Sequence, residues 1–198
     1  MFPKDRDLSV MDLGCGPSIC NVISASLVSN RIYMAELLEG NRKEIIKFLC
    51  NDADAWNWQP YFSFQSSMEE DEDESSIEKR LRRSITGILQ CNLAAETVFE
   101  PDVFNKKVDV MICSLVFDVV CTDTEALVTV MRRALEYLAD DGVMIVQGSL
   151  GEHHYTIGSA MLPVLNIQQV IFLYLLNSIV LSNEFLGRFY GSCWSIKS

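Results

Sequence analysis

The sequence predicts an α/β fold: a mostly parallel sheet with helices on both faces. Three observations carry that prediction. Apolar runs of strand length alternate with amphipathic stretches of helical period along most of the chain. The first run ends in a glycine-containing turn, Asp12–Gly16, the signature of a strand that feeds a helix in an open sheet. The 198 residues are 49% apolar and 22% charged, which suits one domain, 1–198, with a sizeable core.

Taken in order, Leu8–Gly14 reads as a buried strand into the turn, and Ser18–Val28 as a helix facing inward through Ile19, Val22, Ile23, Ser26 and Leu27. Arg31–Glu36 is a second strand. Gly40–Trp56 is a helix with Ile45, Ile46 and Leu49 inward and Arg42, Lys43 and Lys47 outward. The aromatic alternation of Tyr61–Gln65 suggests a third strand. The acidic run Met68–Glu78 reads as a solvated connection, a surface loop over about 66–76, with an interaction tail as the lesser reading. Ser75 with Glu78 forms a capping box that opens a helix over Ile77–Gln90. Lys107–Val116 is a central strand. Asp123–Gly142 is an amphipathic helix with an acidic first turn and a glycine stop, and Val143–Gly148 is the next strand. A further helix from Val170 and closing strands at Ser178–Leu181 and Phe189–Ile196 complete the pattern.

Composition narrows the function. A net charge of −11 argues against a nucleic-acid surface, which needs clustered Lys and Arg. Seven cysteines form no CxxC pair, and most sit in apolar runs as small hydrophobes. The only histidines, His153 and His154, are adjacent, so no metal is expected. Lys4, Asp5, Arg6 and Asp7 interrupt any apolar start, so no signal peptide is expected. Reduced thiols in a cytoplasmic protein fit best. The apolar stretch Val170–Leu181 is shorter than the roughly 20 residues a membrane span requires, so no membrane is implied.

Gly14 and Gly16 allow close backbone approach of a ligand. A dinucleotide turn would place a third glycine where this chain has Ile19, which disfavours a nicotinamide-dependent oxidoreductase. Glu36, at the end of the next strand, stands where a carboxylate accepts ribose hydroxyls. Alone it reads first as an acid that merely ends a strand at the surface. Together the two features suit a nucleoside without phosphates, of which S-adenosylmethionine is the common one.

The stretches 12–20, 52–60, 82–93, 108–123 and 153–158 resemble the amine N-methyltransferases that act on nicotinamide, phenylethanolamine and indolethylamine. The resemblance runs from about Leu8 to Leu162 and implies a Rossmann-like class I fold that uses S-adenosylmethionine. It places Gly14, Cys15 and Gly16 along the methionine end, Glu36 and Asn41 on ribose, Asn92 and Leu93 around adenine, and Ser114 at the end of the central strand. Cys20 stands where the family has Tyr, near the cofactor carboxylate, and Asn92 where it has Asp.

For the acceptor, the nicotinamide branch carries Asp where this chain has Gly148. The phenylethanolamine branch carries an acid at the position of Glu152. The resemblance therefore implies a small amine, arylalkyl rather than pyridine, positioned by Glu152 with Tyr155 as an aromatic wall. From spacing alone, Glu152 reads first as a solvated loop acid paired with His153 or His154. Asp118 follows the central strand, where capping a helix explains it about as well as a site role. The family's helical N-terminal lid has no counterpart before Leu8, and a site without that lid is expected. A catalytically weak or inactive relative that still binds cofactor is the alternative. A monomer is expected.

Overall fold

The computed structural model describes residues 7–69, 72–149, 151–157 and 159–166, with the backbone of 186–190 and 193–197. The chain divides into two compact units, Met1–Cys91 and Asn92–Ser198. The helix and strand expected across 170–181 lie outside the described residues.

The first unit is built on three parallel strands, β1 (Ser9–Leu13), β2 (Arg31–Glu36) and β3 (Ile85–Gln90), in the order β3-β2-β1. Every residue of β1 is buried, which explains its apolar character apart from Ser9 and Asp12. Between β1 and β2 lie a single turn of helix, α1 (Cys20–Ile23), and a 3₁₀ turn over Ser24–Leu27. Ile19, Val22, Ile23 and Ser26 face the core as expected, whereas Leu27 is exposed. Helix α2 (Glu39–Leu49) carries Glu39 in its first turn and Lys47 in its last, each complementing the helix dipole. Its buried face is Ile45 and Phe48; Ile46, expected inward, is exposed.

Two expectations fail here. The Tyr61–Gln65 stretch is helix α3 (Gln59–Ser66), not a strand. Pro60 sits in its first turn, where a missing N–H costs no hydrogen bond, and Phe62 alone of the aromatics turns inward. The helix expected over Ile77–Gln90 is α4 (Glu74–Ser84) followed by β3. Ile85 is already extended at φ −75° and ψ 107°, and the β-branched pair Ile85–Thr86 continues as a strand beside β2. The cap of α4 is Asp73, whose carboxylate accepts from Ser76 N at 2.7 Å, rather than Ser75. The acidic loop therefore stops at Asp73, and Glu74–Glu78 belong to the helix.

In the second unit β4 (Val108–Ser114) pairs in parallel with β5 (Leu138–Gln147). Strand β9 (Cys193–Lys197) runs antiparallel to β5, and β8 (Leu186–Tyr190) antiparallel to β9. Helix α5 (Phe117–Val120) is one turn. Helix α6 (Thr124–Leu135) is capped by Asp123, which accepts from Ala126 N at 2.8 Å, and buries Leu127, Val130, Met131 and Ala134. A hairpin of β6 (His154–Ile157) and β7 (Ala160–Pro163) was not anticipated. Phe99 meets Tyr137 edge-on at 4.9 Å, with Phe104 5.3 Å from Phe99.

The helix read as Asp123–Gly142 ends seven residues early, and Leu138 already pairs with Val108. The next paired position is Val110 with Val143, so Ala139–Gly142 bulge out of the ladder. A Cβ at Gly142 would lie 2.7 Å from Leu138 Cγ and 2.8 Å from the Ala139 oxygen, so the bulge requires glycine. Gly40, in α2, has open space around it. Gly142→Ala is expected to lower stability by roughly 1–3 kcal/mol through this clash. Gly40→Ala should raise it by roughly 0.4–1 kcal/mol by restricting the unfolded chain. Urea denaturation of the two variants beside the parent measures both.

Candidate active site

The turn after β1 is held by backbone bonds. Gly14 N and Cys15 N both donate to Ala35 O, at 2.8 and 3.2 Å, which draws the turn against the end of β2. Gly14 and Gly16 have φ of 73° and 60°, the left-handed region that glycine enters without steric cost. A Cβ built at Gly16 meets no heavy atom within 4 Å, so the space above the turn is open.

Glu36 is the centre of this region. Its Oε2 accepts from Gly16 N at 3.1 Å, and its Oε1 accepts from Leu38 N at 2.9 Å and Asn41 Nδ2 at 3.0 Å. The side chain is 7% exposed, so it is not an acid ending a strand at the surface. One carboxylate thus joins the glycine turn to the start of α2, and the structure brings Gly14, Cys15, Gly16, Glu36 and Asn41 together. Arg42 Nη1 donates to Glu36 O at 2.8 Å, and Cys91 N to the same oxygen at 3.4 Å.

Burial shapes the titration of the neighbours. Asp12, wholly buried, has its carboxyl pushed up to about 7, with the Asn21 amide (3.2 Å from Oδ2) opposing that shift. Burial, reinforced by Asp12, Glu36 and Cys91, raises the Cys15 thiol well above its ordinary value. Cys91 is pushed up to about 12 by burial and then by Glu36. Both thiols stay protonated and are poor nucleophiles. Cys20 begins α1, half-buried, and its N–H donates to Ser18 Oγ at 3.2 Å.

The remaining expected residues belong to the second unit. Asn92 Oδ1 accepts from Ala94 N at 3.1 Å and its N–H donates to Val98 O at 2.9 Å, a tight turn that leaves Asn92 exposed and Leu93 buried. Ser114 ends β4 and donates through Oγ to Gln147 Oε1 at 2.9 Å. Leu115 follows with φ 53°, left-handed for a residue with a bulky side chain, and is half exposed. Glu152 is exposed and pairs with neither histidine: His153 instead meets Asn166 Nδ2 at 2.7 Å. Tyr155 lies half-buried on β6.

Asp118 is the residue that sequence reasoning left open. It is 2% exposed, and its Oδ2 accepts from Ser149 N at 3.2 Å, a contact across 31 residues. Helix α5 has no side-chain cap, so Asp118 does not serve as one. Its Oδ1 is buried with no hydrogen-bond partner among the described residues. The available signal was an acid inside an apolar run, Leu115–Val120, where an unpaired carboxylate is costly.

The parallel α/β arrangement is the Rossmann-like fold that class I methyltransferases share. Among solved structures, the glycopeptide N-methyltransferase MtfA, complexed with S-adenosyl-L-homocysteine, aligns with TM-score 0.60 at 10% identity, over 98% of this chain and 84% of its own. The methyltransferase domain of bacterial CtHen1 aligns with TM-score 0.57 at 12% identity, over 96% and 90%. The profile of the NNMT/PNMT/TEMT family matches residues 1–182, and the chain belongs to that family. Indolethylamine N-methyltransferase of Mus musculus is 26% identical over 153 residues, covering 75% of this chain and 56% of that protein. Nicotinamide N-methyltransferase of Homo sapiens is 23% identical over 150 residues (75% and 56%). Phenylethanolamine N-methyltransferase of Mus musculus is 26% identical over 163 residues (81% and 55%). The chain spans a little over half the length of these relatives. The named relatives are N-methyltransferases. Among the described residues no helix is long and apolar enough to cross a membrane.

The Asp12 carboxyl is raised in the folded chain from an ordinary value of 3.8 to about 7. Between those values the folded state holds a proton that the unfolded state has lost. Its contribution is therefore complete below pH 4 and is lost as pH rises through 7. Against the parent, Asp12→Asn should remove a downward slope of up to about 1.4 kcal/mol per pH unit over that window. Urea melts from pH 4 to 7 read the slope directly; parallel curves for parent and variant would contradict it.

Proposed function

We propose that this chain binds S-adenosylmethionine and transfers its methyl group to the nitrogen of a small amine. The observation that carries this reading is the Glu36 carboxylate, held between the glycine turn and α2 beneath open space. The donor set suits the cofactor. Glu36 Oε2 has one protein donor, so an acceptor position remains for a ribose hydroxyl. Gly14–Gly16 present backbone to the methionine end, where Cys20, in place of a tyrosine, offers no hydroxyl. Asn41 lies beside the ribose acid, Asn92 and Leu93 flank adenine, and Ser114 stands at the end of β4.

When bound, S-adenosylmethionine supplies an activated methyl group. The protein has to orient the amine with its lone pair free and to take up the proton released. Asp118 suits both tasks. Its Oδ2 is fixed by Ser149 N, and its unpaired Oδ1 is a buried acceptor for an amine N–H. Glu152, which is exposed, adds negative charge that attracts a cationic amine, and Tyr155 gives an apolar wall. An arylalkylamine fits this pair of acids better than a neutral pyridine ring.

Three measurements test the reading. Calorimetry with S-adenosylhomocysteine should show Glu36→Ala weakening affinity by roughly 1–3 kcal/mol, the loss of a charge-assisted bond. Transfer from labelled S-adenosylmethionine to a panel of amines should be detectable. Asp118→Asn should lower kcat/KM by about 10²–10⁴ while leaving cofactor affinity unchanged. A folded chain that transfers to no amine defeats the proposal.

A further inference from the structure

The aromatic segment Asp52–Pro60 has no part in the site described above, yet it walls a cavity of about 250 Å³ inside the first unit. The cavity lies where the end of α2 meets α3 and α4, and it shares no residue with the Glu36 site. Phe48, Phe62, Trp56 and Trp58 supply aromatic walls, and Phe48 and Phe62 stack at 6.1 Å. The Arg82 guanidinium lies 4.0 Å over the Phe48 ring. Its Nε and Nη2 donate to Glu78 Oε1, and Nη2 also to Asn51 Oδ1 at 3.3 Å.

Two donors on this lining are left over. Trp58 Nε1 and Arg82 Nη1 are buried and have no hydrogen-bond partner among the described residues. Each such donor costs about 1–3 kcal/mol, and most buried polar groups in folded proteins avoid that cost. At about 30 Å³ per water, the cavity holds the volume of roughly eight waters, far more than one bridging water fills.

Charge selects among acceptors. Glu78 already neutralises Arg82, and Asp52 adds a second acid to the lining. A carboxylate ligand would put a third negative charge beside one cation. A neutral carbonyl oxygen pairs with either donor without that repulsion. Glu78 Oε2, which accepts only from Gln59 Nε2 at 3.3 Å, can take an N–H in return. A planar group that offers C=O on one side and N–H on the other, between aromatic walls, is an amide on a flat ring.

We propose that this cavity is a second small-molecule site, distinct from the methyl-transfer site, for a small neutral planar amide. The test uses the full chain with ¹⁵N-labelled tryptophan indoles, titrated with benzamide, benzoate and benzylamine. One indole N–H resonance, missing in Trp58→Phe, should move on addition of benzamide. Trp56→Phe and Trp194→Phe together give the same assignment by elimination if Trp58→Phe does not fold. Benzoate and benzylamine should bind at least fivefold more weakly. Ala55→Leu, which fills the cavity and removes no polar group, should abolish the shift. Saturating S-adenosylhomocysteine should change the benzamide Kd by less than twofold. The proposal falls if the Trp58 resonance stays fixed, or if benzoate or benzylamine matches benzamide. It falls equally if a folded Ala55→Leu binds normally, or if S-adenosylhomocysteine displaces benzamide.

Discussion

Three donors converge on the Glu36 carboxylate: the Gly16 backbone, the Leu38 backbone and the Asn41 amide. A buried carboxylate without such partners would be driven to its neutral form. Here each donor belongs to a segment whose position is set by other forces. Gly16 lies in a turn tied to Ala35 O, and Leu38 and Asn41 lie where α2 begins. The carboxylate therefore fixes the distance between the β1 turn and the α2 start, the two places that a ligand over the turn has to touch. Backbone donors at a helix start also favour the negative charge. Under the proposed function, Glu36 serves stability and recognition through one carboxylate.

The acids and thiols around Glu36 show the cost of burying ionisable groups. Asp12, Cys15 and Cys91 all lie within its electrostatic reach or each other's, and all three are pushed toward their neutral forms. Glu36, by contrast, accepts three hydrogen bonds. The arrangement separates the groups by their partners: one acid is held by donors, whereas burial favours the protonated forms of Asp12 and the two thiols. It also explains why two cysteines beside a proposed alkylating cofactor are tolerable, since a buried thiol with a raised pKa is a poor nucleophile.

How far the sequence reached depends on the range of the interactions involved. The glycine turn and Glu36 were readable because backbone conformation and strand-end chemistry are local, and Gly14–Gly16 needs only a positive φ to declare itself. The course of β1, β2, β4 and α6 followed from short periodic patterns for the same reason. The errors came where a local pattern had two readings. Tyr61–Gln65 alternates like a strand, but Pro60 and the single buried residue Phe62 make it a helix. The bulge at Ala139–Gly142 is set by pairing with β4, a partner 30 residues away, which no window over α6 can contain. Asp118 was ambiguous because its distinguishing feature is the bond to Ser149, and that bond exists only once the strands are in register.

The same difference in range bears on what the two units can specify under the proposed function. In the first unit, the groups assigned to the cofactor are positioned by contacts of short span or by one strand pairing, so their geometry follows from a few residues. In the second, the acid assigned to the amine depends on a loop residue 31 positions away and on Leu165 N, which donates to the Asp118 backbone oxygen at 2.7 Å. A change in loop 148–152 would thus move Ser149, release Asp118 Oδ2 and alter the amine's seat without disturbing Glu36. Acceptor choice can drift while cofactor binding stays intact, because no hydrogen bond of the Glu36 carboxylate involves that loop. A family whose members are named for nicotinamide, phenylethanolamine and indolethylamine is what such a division of constraint would produce.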